Sequence, residues 1–81
     1  MELLVYSSSS CIYCQRQRRF LTEKGISFEE KDIHENEVNF KEFKDFGGYG
    51  TPFTLVKANG NIVSKIVGFN PEKLLEKLGS K

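Results

Sequence analysis

Leu3-Leu4-Val5-Tyr6-Ser7-Ser8-Ser9-Ser10-Cys11-Ile12-Tyr13-Cys14 is the stretch that decides the fold. Its first four residues form a short, continuously apolar run bounded by serines, which suits a strand buried on both faces. The serines then lead into a segment rich in helix formers, Cys11 to Lys24, which Gly25 closes as a C-terminal stop. A strand that ends in a polar loop and feeds a helix places Cys11 at the helix N-terminus. Unpaired backbone N–H groups and the helix dipole favour a thiolate there. Cys14 falls one turn further on, close enough to form a disulfide with Cys11. The chain has no other cysteine, and a reversible dithiol/disulfide is the first hypothesis the pair raises.

At 81 residues the chain has room for one small domain, taken to span residues 1–81. Its core is expected to be modest, because a domain of this size buries only about 60% of its unfolded surface. A formal net charge of +1 argues against general nucleic-acid or membrane binding, either of which needs a strong basic excess. No apolar run approaches the roughly 18 residues of a membrane span. Met1 to Tyr6, with Glu2 inside it, is too short for the apolar core of a signal peptide. A cytoplasmic location is therefore expected, where structural disulfides are rare and a cysteine pair more often does redox or metal work. Zinc needs four ligands, and two cysteines plus the lone His34 cannot complete a site in one chain. No metal site is expected, and His34 reads as a loop or helix-cap residue.

Ile26 to Ile33 has strand character, with Ile26 and Phe28 alternating against polar neighbours. With the first strand and helix it makes a β-α-β unit, which the right-handed crossover turns into two parallel strands. His34 to Phe46 reads as a second helix whose buried side is Val38, Phe40, Phe43 and Phe46. Gly47-Gly48-Tyr49-Gly50 breaks that helix before Thr51-Pro52 and a strand over Phe53–Lys57. Asn59-Gly60 is a strong hairpin signal, and Ile62–Val67 supplies the partner strand. Asn70 and Pro71 stand as N-cap and first residue of a last helix striped by Leu74, Leu75 and Leu78. The order β-α-β-α-β-β-α predicts an α/β fold, one four-stranded mixed sheet flanked by three helices, with helices on both faces.

Cys-x-x-Cys beside a β-α-β pattern is the signature of a thioredoxin-like redox motif. Cys11-Ile12-Tyr13-Cys14 resembles the Cys-Pro-Tyr-Cys of glutaredoxins, with Ile12 in place of the proline. Lys24-Gly25-Ile26-Ser27-Phe28 and Lys31-Asp32-Ile33 are similar to that family's Lys-Gly-Ile-x-Tyr and Asp-Ile segment. Thr51-Pro52 falls where the family has Val-Pro with a cis proline. The chain also resembles the NrdH-redoxins, glutaredoxin-shaped proteins that draw electrons from thioredoxin reductase. Their Ser-Gly-Phe-Arg-Pro-Asp-x-Leu tail is similar to Val67-Gly68-Phe69-Asn70-Pro71-Glu72-Lys73-Leu74, and Gly48-Tyr49 is similar to their Gly-Tyr segment.

The resemblance implies a thioredoxin-like fold and a thiol–disulfide oxidoreductase, monomeric and without a tightly bound cofactor. It makes Cys11 the nucleophile and Cys14 the resolving cysteine. It also implies a surface for substrate or glutathione made by Tyr13, Thr51, Pro52, Gly68, Phe69 and Asn70. The substrates would be protein disulfides or mixed disulfides with glutathione, and the glutaredoxin reading makes glutathione the co-substrate. Ser8 stands where glutaredoxins usually carry a lysine that meets a glutathione carboxylate. That departure favours the alternative, thioredoxin reductase as electron donor and ribonucleotide reductase as recipient. A third reading is a non-enzymatic carrier of an iron–sulfur cluster held by Cys11 and glutathione in a dimer. Cys14 argues against it, because it can convert the pair to a disulfide. Gln17 occupies a position where the family usually has alanine on the packed side, so either a slightly turned helix or a polar contact near the site is expected. Arg16, Arg18 and Arg19 read as a solvated helix face that adds a distant positive field at Cys11.

Overall fold

The computed structural model describes residues 2–79. Among them the chain forms β1 (Glu2–Ser7), α1 (Ile12–Glu23), β2 (Glu29–Asp32), α2 (Glu37–Asp45), β3 (Phe53–Ala58), β4 (Asn61–Val67) and α3 (Pro71–Gly79). The sheet order is β2-β1-β3-β4. β1 is parallel to β2 and antiparallel to β3, and β3 is antiparallel to β4. This is the expected mixed α/β sheet of the thioredoxin-like fold.

Side chains alternate across a strand, so each central strand feeds two cores. Leu3 and Val5 of β1 and Val56 of β3 pack with Leu21 of α1 and Leu74 of α3 on one face. Leu4, Tyr6, Phe53 and Leu55 pack with Phe43 of α2 on the other. Each such side chain, fully buried, contributes about 1.5–3 kcal/mol. The second core is aromatic: the Phe43 and Phe53 rings meet edge to face at 5.7 Å. The buried Tyr6 hydroxyl donates to Glu42 Oε1 at 3.0 Å, and Lys31 Nζ donates to the same oxygen. One carboxylate thus ties β1, β2 and α2 together.

Three expectations are corrected. The second strand begins at Glu29, not Ile26. The Gly25 N–H donates to Thr22 O and the Ile26 N–H to Leu21 O, a Schellman close to α1 made possible by Gly25 at φ 70. Ile26 and Phe28 still pack against the core, so their alternation comes from the closing turn and its exit rather than from a ladder. The second helix begins at Glu37, capped by Asn36, and it leaves Val38 63% and Phe40 46% exposed. Its inward stripe is Asn39, Phe43 and Phe46, spaced i, i+4, i+7. Asn39 can occupy that stripe because its Nδ2 donates to Asp32 O at 3.0 Å. In α3, Leu74 and Leu78 face the core one turn apart, while Leu75 is exposed.

The connections follow local chemistry. Asn59 at φ 55 and Gly60 at φ 80 make the two-residue hairpin turn that the Asn-Gly pair signals. A Cβ on Gly48 would overlap the Phe43 ring and carbonyl oxygen, so the chain leaving α2 passes Phe43 as closely as glycine alone allows. In β4, Ser64 opposes Val56 and Ile62 opposes Lys57, which leaves Val63 as the extra residue of a bulge on the sheet edge. Among the described residues no helix is long and apolar enough to cross a membrane.

Candidate active site

β1 delivers the chain to the serine turn, and α1 begins immediately after Cys11. Cys11 is the N-cap: its backbone is extended, φ −92 and ψ 113, and its sulfur accepts the Cys14 backbone N–H at 3.1 Å. Burial is the largest single influence on Cys11 and opposes ionisation. Hydrogen bonding from the Cys14 thiol, the Thr51 side chain and the backbone N–H groups of Cys14 and Tyr13 outweighs it, and the thiol lies below its ordinary value. A protonated Cys11 donates to Thr51 O at 3.6 Å. That long contact favours the thiol weakly against several donors aimed at the sulfur. Cys14 is the reverse case. It is 2% exposed, and burial, followed by its hydrogen bond to Cys11, pushes its thiol up to about 11. One sulfur is accessible and acidified, and its neighbour is buried and held protonated.

β3 brings the second wall. Thr51 lies just before the strand, its peptide bond to the buried Pro52 is cis, and its carbonyl faces Cys11. The Gly68 N–H donates to Pro52 O at 2.8 Å, which fastens the loop after β4 to the cis turn. Tyr13 is 57% exposed beside the pair, with the Arg16 guanidinium 5.3 Å from its ring centroid. Cys11, Tyr13, Cys14, Thr51, Pro52 and Gly68 are therefore gathered at one end of the sheet. Phe69 and Asn70 carry structural contacts. The Phe69 ring meets Phe20 edge to face at 5.8 Å within the first core, and Asn70 Oδ1 caps α3 by accepting the Lys73 N–H at 3.0 Å.

The arginine run does not act as one positive face. Arg18 makes a two-pronged ion pair with Glu30, at 2.8 and 2.6 Å, and Arg19 reaches Glu23 at 3.4 Å. Glu30 is the main partner holding Arg18 charged, with the two cysteines last among its influences. A shallow groove beside the serine turn is lined by Ser7, Ser9, Arg18, Glu30, Asp32 and Glu35. Three carboxylates thus meet one guanidinium that is already paired. Ser8, at the position of interest for glutathione, is 7% exposed with its Oγ 3.3 Å from that of Ser10. Gln17 makes a buried polar contact, Nε2 to Thr54 Oγ1 at 2.7 Å. Thr54 was not singled out from the sequence, although a lone hydroxyl inside Phe53-Thr54-Leu55-Val56 is the available signal. Among the described residues no group of three or more His, Cys, Asp or Glu is placed to hold a metal ion.

The glutaredoxin family model matches residues 3–57. A glutaredoxin-like 8.6 kDa protein in the rubredoxin operon of Clostridium pasteurianum is 30% identical over 77 residues, covering 90% of this chain and 96% of that protein. Among solved structures, NrdH-redoxin from Escherichia coli superposes with a TM-score of 0.82 at 17% identity, covering 100% of this chain and 99% of that one. Glutaredoxin from Archaeoglobus fulgidus gives a TM-score of 0.76 at 32% identity, covering 98% of this chain and 87% of that one. With the family model spanning most of the chain and the cysteine pair in place, the protein belongs to the glutaredoxin family of thiol–disulfide oxidoreductases.

Proposed function

We propose that the protein reduces disulfides of other proteins by a two-cysteine cycle. The observation that carries this is the asymmetry of the pair: an accessible, acidified Cys11 beside a buried Cys14 whose thiol is pushed up to about 11. The Cys11 thiolate attacks a substrate disulfide, forming a mixed disulfide and expelling the first substrate sulfur. Cys14 then attacks Cys11, the bond to the second substrate sulfur breaks, and the reduced product leaves. Thr51, with its backbone beyond the end of the β3 ladder, is suited to pair with an extended substrate segment. Tyr13 would limit access beside it.

One observation favours recharging by a thioredoxin-reductase-type flavoprotein over glutathione. Glutathione is an anion with two carboxylates, and the flank at Ser8 offers no unpaired cation. It offers Glu30, Asp32 and Glu35 around the paired Arg18. NrdH-redoxin is described by a thioredoxin-like activity profile, and on this reading ribonucleotide reductase is a recipient to test first. The deciding experiment is to oxidise the protein and follow its reduction by glutathione with glutathione reductase, and separately by NADPH with thioredoxin reductase. Turnover by the second system alone is expected, and efficient turnover with glutathione would overturn that choice of donor. Cys14→Ser should retain attack on small mixed disulfides while losing reduction of protein disulfides. Full protein-disulfide turnover by Cys14→Ser would overturn the two-cysteine cycle itself.

A further inference from the structure

Gln17 has no task in the cycle as described, and it is the least expected side chain of α1. It is 0% exposed and lies one turn past Cys14 on the same buried face. Its Nε2 donates to Thr54, which is also fully buried and sits two residues past Pro52. Its Oε1 is the one buried side-chain nitrogen or oxygen without a hydrogen-bond partner among the described residues. Thr54 is paired with Val5 and alternates with Val56, so the amide reaches into an otherwise apolar face. Leaving such an acceptor unpaired costs about 1–3 kcal/mol, and methionine would fill a similar volume without that cost.

The cycle contains a matching gap. In the reduced pair the neighbouring Cys11 sulfur raises the Cys14 thiol and so keeps its proton in place. Once Cys11 is bonded to a substrate sulfur that influence is gone, and what the step still needs is a group to take the Cys14 proton. The Ser8 backbone and the Thr51 side chain act on Cys14 in the opposite sense and favour its thiolate. No Asp, Glu or His among the described residues hydrogen-bonds either sulfur. Helix residues three apart are surface neighbours, with Cβ atoms about 5–6 Å apart, so the Gln17 and Cys14 side chains lie side by side on the buried face of α1.

We propose that Gln17 is the positioning residue of the resolving step: held by Thr54, its Oε1 seats one water against Cys14, and the thiol proton leaves through that water. The amide is not protonated. It orients the water, which takes the proton and passes it to solvent. The Cys14 thiolate then forms its bond to Cys11, and the substrate sulfur departs with the electron pair as a thiolate. The mixed disulfide is the oxidant, so no further reagent is required. The inference rests on the two-cysteine cycle proposed above.

A chromogenic aromatic disulfide separates the steps, because one coloured thiolate is released when Cys11 attacks and a second when Cys14 resolves. Gln17→Met should leave the first release unchanged and slow the second by about tenfold or more, the scale expected on losing an oriented proton acceptor. Thr54→Val should act in the same direction. Gln17→Glu should restore the second release to at least the wild-type rate, because a carboxylate is itself a base. Equal rates of second release in wild type, Gln17→Met and Thr54→Val would overturn the inference. So would a parallel fall of both releases in Gln17→Met with no recovery in Gln17→Glu, the pattern of a packing defect. Absence of any second release from the wild type would instead remove the cycle on which the inference stands.

Discussion

The N-termini of α1 and α2 are built to one plan and differ in one atom type. In α2 the Asn36 Oδ1 accepts the Asn39 N–H at 2.8 Å, and in α1 the Cys11 sulfur accepts the Cys14 N–H at 3.1 Å. α3 repeats the amide version with Asn70. The first turn differs too: Glu37 opens α2 and Glu72 opens α3, but α1 has no acidic residue in its first turn. An amide oxygen caps well while neutral, whereas a neutral thiol is a weak acceptor. At α1 the cap becomes strong only when Cys11 ionises, and no carboxylate competes for the dipole. The same structural need that stabilises two helices therefore makes the third one reactive.

The comparison breaks most completely at Cys11. Cys11→Ser retains a good capping oxygen and should fold normally, yet its disulfide-reducing turnover should fall to background. Residual activity in a coupled reductase assay would show that the cap atom is not the nucleophile. Ile12→Asp sharpens the contrast by giving α1 the first-turn carboxylate of its sisters. A charge of that kind is worth about 0.3–1 kcal/mol, so alkylation of Cys11 at neutral pH should slow about two- to fivefold. Asn36→Ala tests the other side. It should cost about 1 kcal/mol in urea unfolding and leave the Cys11 alkylation rate unchanged. The smallest effect is the pH dependence of stability in the reduced protein. Folding lowers the Cys11 thiol from its ordinary 9.0, so its stabilising contribution is fully present above about pH 9 and fades as pH falls through the folded value. The stability difference between wild type and Cys11→Ala should accordingly narrow on acidification, and a difference that widens would reverse the assignment.

What could be read from the chain followed the range of the interactions. The Cys11–Cys14 spacing, the Asn59-Gly60 turn and the Asn70-Pro71 helix start are local signals, and each stands where expected. Ile26 and Phe28 were misleading because apolar alternation serves a Schellman exit as well as a strand. Val38, Phe40 and Leu75 look like core residues in a pattern, but a helix of nine residues offers one narrow inward stripe. Phe69 and Asn70 read as site residues through resemblance, and their side chains are engaged in packing and capping. The cis bond at Pro52 came from resemblance rather than from the residues, since an X-Pro bond is cis only about 5% of the time. The Gln17–Thr54 bond joins residues 37 apart in sequence, and nothing near Gln17 announces a partner on β3.

The pairing of Arg18 with Glu30 bears on the conditions under which such a protein can work. Where loose side-chain cations lower a thiol, dissolved ions compete with them, and reactivity declines as ionic strength rises beyond a Debye length of about 8 Å at physiological salt. Here Arg18 and Arg19 are paired with carboxylates, Arg16 lies over the Tyr13 ring, and the donors at the Cys11 sulfur are backbone and neighbouring groups within hydrogen-bond contact. Mobile ions do not fit between atoms 3.1 Å apart. Cys11 should therefore keep nearly the same reactivity in dilute buffer and in a salt-rich medium.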